Sequence, residues 1–205
     1  MHQAAGAQIL PVRTDTLLTQ TFCDNILAHL ENGELAMAVR NDPTILEFGK
    51  RLYIKGRKGL SHHGQQEIRC RLREFGRFLI KVRTTDHDIQ NLSECIDVGK
   101  FALVCDAVKT LSGHDSQTGT YKVPSLALRP GQSVAKCTQN LRGKAVREGC
   151  SHLNKQCDDF IDIAKDWKLQ VSTQARQTID ERKWNSPRKL PLASDLKLLN
   201  TYLNR

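Results

Sequence analysis

The sequence contains few aromatic residues and no long apolar run. Only 5% of its 205 residues are Phe, Trp or Tyr, and its hydrophobic content of 39% is somewhat low for a globular protein. No apolar run approaches the roughly 20 residues that a membrane-spanning helix requires. The N-terminus also lacks a basic segment followed by a long apolar stretch, so no secretory signal is indicated. We therefore expect neither membrane insertion nor secretion.

The sequence also lacks paired cysteines. Its seven cysteines are separated by wide, irregular gaps, and no Cys-x-x-Cys occurs. An odd count without short spacings argues against a disulfide framework and favours a reducing compartment. The pattern nearest to a zinc site is Cys150-x-His152 followed by Cys157, but zinc sites usually contain two closely spaced ligand pairs. We expect free thiols, no metal site and no cofactor.

No catalytic motif is present in the sequence. It contains no Gly-x-Ser-x-Gly, no phosphate-binding Walker loop and no His-Glu-x-x-His. The adjacent His62 and His63 do not face one site, because neighbouring side chains on a helix or strand point in different directions. Asp158, Asp162 and Asp166 recur every four residues, and we interpret them as a solvated acidic face rather than a cation site. We expect no enzymatic activity from this chain.

What the sequence does contain is positive charge confined to one segment. Residues 50–83 hold eleven Lys or Arg and two acids, a net charge of +9. The whole chain also has a net charge of +9, so the rest of the sequence is balanced. A localised basic region on a balanced protein indicates a surface that binds a polyanion, most often a nucleic acid.

The spacing of apolar residues predicts an all-α fold. No segment alternates convincingly with the period of two that indicates a strand. Asp42 followed by Pro43 is a favourable helix start, because Asp caps the first turn and Pro is tolerated at the first helical position. Ser172 is expected to be the N-cap of a helix that ends near Arg182. The predicted helices are 17–30, 34–40, 43–55, 65–83, 101–111, 134–148, 153–170, 173–182 and 196–203, with a turn-rich loop at 113–120 and a helix break or start at 129–133.

Residues 65–83 carry the clearest helical pattern. At 100° per residue, five apolar side chains fall within about 80° of arc, and four cations form a second stripe on the opposite side. Gly76 lies between the stripes, and a glycine inside a helix costs about 1 kcal/mol of stability relative to Ala. We therefore expect a neighbouring helix to pack so closely there that only glycine fits. The apolar residues are Ile68, Leu72, Phe75, Leu79 and Val82, and the cations are Arg69, Arg73, Arg77 and Lys81.

Three further groups of cations complete the predicted DNA-binding surface. The first lies in the glycine-containing loop before this helix, whose backbone amides could also face phosphates. The second lies on the basic helix 134–148, where Gln139 and Asn140 add base-edge chemistry, and the third lies in a proline-containing linker. These groups are Lys55, Arg57 and Lys58; Lys136, Arg142 and Lys144; and Arg188 and Lys189.

The same patterns divide the chain into three parts. Residues 1–15 are expected to be a disordered leader, and residues 16–183 a helical DNA-binding domain. Residues 184–205 are expected to be a basic linker followed by a short helix that Ser194 or Asp195 caps.

Several segments resemble the N-terminal half of Crypton-type tyrosine recombinases of animal genomes. They are ILEFGKRLYIKG, RLREFGRFLI, KFALVCDAVKTLSG, PSLALRPGQSVAKC and KWNSPRKLPLASDLKLLNTYL, and they cover about residues 40–204. In tyrosine recombinases a basic linker with Leu-Pro, a polar N-cap and a short Leu-rich helix opens the catalytic domain. Residues 188–196 are similar to that opening.

The resemblance implies that residues 16–183 form a multi-helix bundle like the core-binding (SAM-like) domain, which clamps one face of double-stranded DNA. It also implies that the family's catalytic Arg, His/Lys-x-x-Arg group and nucleophilic Tyr lie beyond Arg205, because Tyr202 is too early and in the wrong helix. We therefore expect a nuclear DNA-binding domain derived from a mobile element, without catalysis of its own. A basic module that binds an acidic protein in a nuclear complex is the alternative, and a further C-terminal domain that restores strand cleavage is the third.

Overall fold

The fold is built around two 24-residue helices, α4 (His62–Thr85) and α6 (Pro124–Arg147). The computed structural model describes residues 10–31, 33–56, 61–186 and 193–203. These residues form α-helices and short turns, with one isolated antiparallel β-bridge between His114 and Tyr121, so the all-α prediction is confirmed. The remaining helices are α1 (Leu10–Asn25), α2 (Glu34–Arg40), α3 (Pro43–Lys55), α5 (Phe101–Leu111), α7 (Ser151–Ile163), α8 (Thr173–Trp184) and α9 (Ala193–Leu203).

Helix α3 begins as its sequence predicts. Asp42 is fully buried, and its Oδ1 atom accepts hydrogen bonds from the backbone N–H groups of Thr44 and Ile45, each at 2.8 Å. Its second oxygen accepts from the N–H of Leu92, 2.5 Å away in the turn that follows α4. One carboxylate therefore caps α3 and also fixes a distant turn, which the sequence pattern did not indicate.

The core lies on the apolar side of α4, which contacts α2, α3, α5 and α6. All five residues of the predicted apolar stripe are buried, and Phe78 is buried beside them. Close packing by a neighbouring helix explains Gly76, as predicted. A Cβ there would lie 3.0 Å from a methyl group of Val39 and 3.2 Å from Leu35. Ser61 caps the helix by accepting a hydrogen bond from the N–H of Gly64 at 3.2 Å.

The first helix starts within the segment predicted as a leader. Helix α1 begins at Leu10, so residues 10–15 are helical, while residues 1–9 lie outside the described part of the chain. Pro11 falls in the first turn, where a missing backbone N–H removes no hydrogen bond from the helix. The predicted helix 17–30 ends at Asn25 and is followed by a 3₁₀ turn, Leu27–His29.

The predicted helix break or start at residues 129–133 is wrong, because α6 begins at Pro124 and continues through Pro130. A proline inside a helix removes one backbone donor and crowds the preceding turn. Helix α6 packs against α3, α4, α5, α7 and α8, and Pro130 is itself buried. Burial on several sides outweighs the local preference of a proline.

The predicted helices 153–170 and 173–182 are joined differently from expectation. Helix α7 ends at Ile163, and a 3₁₀ turn (Ala164–Asp166) and a π turn (Lys168–Ser172) lead directly into α8. Ser172 has helical backbone angles and makes no capping hydrogen bond, so its predicted role as an N-cap is wrong. The π turn keeps Trp167, Val171 and Ala175 buried on one side of the chain.

The C-terminal linker and helix are only partly described. Residues 187–192 lie outside the described residues, and with them the predicted linker cations Arg188 and Lys189. Helix α9 begins at Ala193, so Ser194 and Asp195 stand inside its first turn instead of preceding it. Among the helices described, none is both long and apolar enough to cross a membrane.

Candidate nucleic-acid interface

Three cations form a continuous stripe on the outer side of α4. Arg77 is exposed, and Arg73 and Lys81, one turn before and after it, are partly exposed. Within the described residues, none of the three side chains has a hydrogen-bond or ion-pair partner. We call Arg73, Arg77 and Lys81 the α4 basic face. They are three of the four cations that the helical pattern predicted here.

The fourth predicted cation, Arg69, does not belong to this surface. Only 5% of Arg69 is exposed, and its Nη1 atom donates a hydrogen bond to the backbone oxygen of Asn25 at 3.0 Å. Its Nε and Nη2 atoms donate to the side-chain oxygen of Gln66. Arg69 lies one turn closer to α1 than the rest of the stripe, so its guanidinium satisfies a carbonyl at the end of that helix. Its predicted role in DNA binding is corrected to a structural one.

Two cations beside the α4 basic face are neutralised by carboxylates. The Arg71 Nε atom lies 2.8 Å from Glu67, and Arg129 of α6 lies 2.8 Å from Glu74. The hydrogen bond from Arg71 lowers the pKa of Glu67, and the hydrogen bond to Glu74 raises the pKa of Arg129. These two pairs cancel charge where α4 meets α6, whereas the cations of the α4 basic face have no such partner among the described residues.

The cations predicted on helix 134–148 do not form one surface. Arg142 is half exposed and pairs with Asp158 of α7 at 2.5 Å. Lys136 is exposed, but it is six residues from Arg142, which places the two about 120° apart on α6. Lys144 is exposed, and its nearest carboxylate is Glu148 at 3.9 Å. The structure thus separates these three cations, and Arg142 is not free to contact a base edge.

The remaining predicted cations are located only in part. Lys55 is exposed at the last position of α3. Arg57 and Lys58, like Arg188 and Lys189, lie outside the described residues. The α4 basic face is therefore the part of the predicted surface whose geometry is defined.

One residue of this surface was missed by the sequence interpretation. Cys70 is exposed and lies seven residues before Arg77, two turns away on almost the same side of α4. The spacing of apolar residues does not identify a cysteine on the cationic side of a helix. The seven-residue separation between Cys70 and Arg77, however, could have placed this thiol beside Arg77 from the sequence alone. Cys150, the other exposed thiol, lies after α6.

The buried thiols differ from Cys70 in their chemistry. Cys95, Cys105, Cys137 and Cys157 are buried, and burial raises the pKa of Cys95 and of Cys105 to about 12. A thiol with so high a pKa is almost entirely protonated at neutral pH and is a poor nucleophile or metal ligand. Across the described ranges, no three His, Cys, Asp or Glu side chains are arranged to hold a metal ion.

Comparisons with known proteins identify no relative of this chain. No protein-family profile, no curated protein and no solved structure matches it.

Proposed function

We propose that this protein is a DNA-binding helical domain that contacts the phosphate backbone of double-stranded DNA through the α4 basic face. The main support for this proposal is that some cations of α4 are unpaired while others form ion pairs. Arg73, Arg77 and Lys81 are unpaired among the described residues, whereas Arg71 on the same helix pairs with a carboxylate. Like charges four residues apart destabilise a helix by a few tenths of a kcal/mol per pair. A polyanionic partner would offset this repulsion.

The stripe of three cations is long enough to face several phosphates of one DNA strand. Successive members are four residues apart, or about 6 Å along the helix, so the stripe spans about 12 Å. One DNA strand carries a phosphate for about every 3.4 Å of duplex axis. Such contacts hold a protein on DNA without reading its sequence. We therefore propose binding without sequence preference at this face.

The origin and location of the protein belong to the same proposal. Descent from a Crypton-type tyrosine recombinase, the absence of catalysis by this chain and a nuclear location are supported by the sequence resemblance described above. The all-α fold agrees with a helical core-binding domain without identifying one.

The test is a salt titration of binding to a random-sequence duplex, with binding measured by fluorescence anisotropy. The wild type is compared with the triple variant Arg73→Gln/Arg77→Gln/Lys81→Gln, in which buried Arg69 stays intact. Each lost phosphate contact reduces the slope of log affinity against log salt by about 0.9. We expect weaker binding by the variant at low salt and a slope reduced by about 2.7.

A matched control separates this surface from net charge. The variant Lys122→Gln/Lys155→Gln/Lys183→Gln changes three exposed lysines on other elements and removes the same charge. We expect it to keep most of the affinity and the slope of the wild type. Equal losses in the two triple variants, or no binding by the wild type at low salt, would contradict the proposal.

Helix α9 favours a second candidate, the protein-interaction module. Leu196, Leu199 and Leu203 recur at the spacing of one helix face and are 54%, 58% and 71% exposed. Exposed apolar stripes of this kind are typical of helices that dock on a protein. A pull-down from nuclear extract after nuclease treatment distinguishes the candidates, because only the interaction module retains acidic proteins without DNA.

A further inference from the structure

A cavity of about 360 Å³ lies between α6, the end of α7 and the start of α8. None of its lining residues belongs to α4, so it is distinct from the proposed DNA contact. Its apolar lining includes Leu128, Phe160 and Trp167, the last two of which are buried. A volume of this order is within the range of sites that bind small molecules, about 300–1,000 Å³.

The π turn shapes this cavity. Trp167 stands between the 3₁₀ turn and the π turn, and Lys168 and Ser172 are the first and last residues of the π turn. All three residues line the cavity. A π turn inside a helical segment is uncommon, and it often marks a functional site because it redirects side chains at a cost in backbone geometry.

The charged residues of the lining all have the same sign. They are Lys165, Lys168 and Arg176, and no acidic residue lines the cavity. Lys165 is held by Asp162 at 2.7 Å. Lys168 and Arg176 are exposed, and neither side chain has a hydrogen-bond or ion-pair partner in the described ranges. The cavity therefore combines an apolar interior with two available cations.

The indole of Trp167 forms a closely packed part of the cavity wall. Its Nε1 atom is buried and has no hydrogen-bond partner, and only 8% of the residue is exposed. The indole packs so closely on α6 that a Cβ at Gly131 would lie 2.3 Å from Nε1. Because Nε1 is inaccessible and lies against α6, a ligand in the cavity can contact the ring of Trp167 but not this donor.

We propose that this cavity binds a small amphipathic organic anion. Its aliphatic or aromatic body contacts Leu128, Phe160 and Trp167, and its carboxylate pairs with Lys168 and Arg176. The proposal does not depend on DNA binding, because the two surfaces share no residue. The charge of the lining selects the ligand class: two unpaired cations favour an anion over a neutral or cationic molecule of equal size.

The test is a titration of the ¹⁵N-labelled full chain with octanoate and with 3-phenylpropionate, observed at the indole N–H signal of Trp167. The background variant Trp184→Phe removes the other tryptophan, which is 81% exposed and lines no part of the cavity. We expect both carboxylates to shift the signal saturably. The matching amides, octanamide and 3-phenylpropionamide, should bind at least about tenfold more weakly, because they lack the charge.

Variants in the Trp184→Phe background test whether Lys168 and Arg176 bind the carboxylate. Lys168→Gln/Arg176→Gln should weaken both carboxylates about tenfold or more, since a hydrogen bond to a charged group is lost. The control Lys155→Gln/Lys183→Gln removes the same charge from exposed positions outside the cavity and should bind as the parent does. The proposal is overturned if neither carboxylate gives a saturable shift, if the amides bind equally well, or if the two double variants behave alike.

Discussion

The guanidinium of Arg69 donates a hydrogen bond to the backbone oxygen of Asn25, 44 positions earlier, and so ties α4 to the last residue of α1. Within a segment of high positive charge, this one arginine is buried and serves the fold. Its two neighbours on the same side of the helix, Arg73 and Arg77, remain available to a ligand. Adjacent cations of one stripe therefore have different roles, and substitutions should separate them.

The first prediction concerns Arg69. Arg69→Ala should lower the free energy of unfolding by about 2–4 kcal/mol, because the Asn25 carbonyl loses its donor and the packing of the long side chain is lost. Arg77→Ala, on the exposed side of the same helix, should change it by no more than about 0.5 kcal/mol. Urea unfolding followed by circular dichroism measures both. Equal effects would show that the hydrogen bond contributes nothing to stability.

The second prediction concerns the double role of Asp42. Asp42→Ala removes the acceptor of three backbone N–H groups and should destabilise the protein by about 2–5 kcal/mol. Asp42→Asn should cost less, because its single oxygen can still cap α3 although the bond to Leu92 is lost. Ser61→Ala, which removes an exposed cap of α4, should cost about 1 kcal/mol. Urea unfolding should rank the three variants in this order, and a loss in Asp42→Asn as large as in Asp42→Ala would exclude a separate contribution from the cap.

The third prediction uses the exposed thiols as reporters. In the native protein, Cys70 and Cys150 should react rapidly with a thiol reagent, whereas the four buried cysteines should react only after unfolding. If DNA lies on the α4 basic face, a random-sequence duplex should slow alkylation of Cys70 and leave Cys150 unchanged. Mass spectrometry of the digested protein measures both rates in one sample. Equal protection of the two thiols, or none at Cys70, would place DNA elsewhere.

The fourth prediction concerns acid. A hydrogen bond from Lys100 lowers the pKa of Asp86 below its ordinary value of 3.8. The folded protein therefore releases this proton more readily than the unfolded chain, and the pair stabilises the fold above that pH. This stabilisation is lost as the pH falls through the lowered pKa of the folded state. Urea midpoints of wild type and Asp86→Asn should differ at pH 7 and begin to converge below about pH 4, and a difference that grew on acidification would have the wrong sign.

The fifth prediction compares two glycines of α6. A Cβ at Gly143 would meet only the end of the Arg147 side chain, at 3.6 Å, so Gly143→Ala should stabilise the protein by about 0.5–1 kcal/mol. Gly131→Ala should destabilise it, because the new methyl group would overlap the Trp167 indole. Thermal melts of the two variants should shift in opposite directions. Stabilisation by both would mean that the indole moves away at no cost.

The sequence alone predicted those features that depend on local pattern. The apolar stripe of α4, the close approach at Gly76 and the cap at Asp42 all follow from residue spacing and capping chemistry, and the structure confirms them. Such features require no knowledge of which other elements surround the helix.

Features that depend on a distant partner were not predictable in this way. Spacing placed Arg69 on the cationic stripe, but its burial depends on where α1 ends, 44 residues earlier. Phe78 is buried because α6 covers another side of α4, which widens the apolar arc beyond one stripe. Pro130 looked like a helix break because its local preference is unfavourable, and packing on several helices outweighs that preference.

The guanidinium of Arg182, near the end of α8, donates to the backbone oxygens of Tyr121 and Lys122, just before α6 begins. Tyr121 is itself fully buried, and its N–H donates to Thr178 of α8. Hydrogen bonds therefore tie the loop between α5 and α6 to α8. A fragment that ended before Arg182 would leave both carbonyls without this donor, so we expect it to unfold more readily than the longer chain.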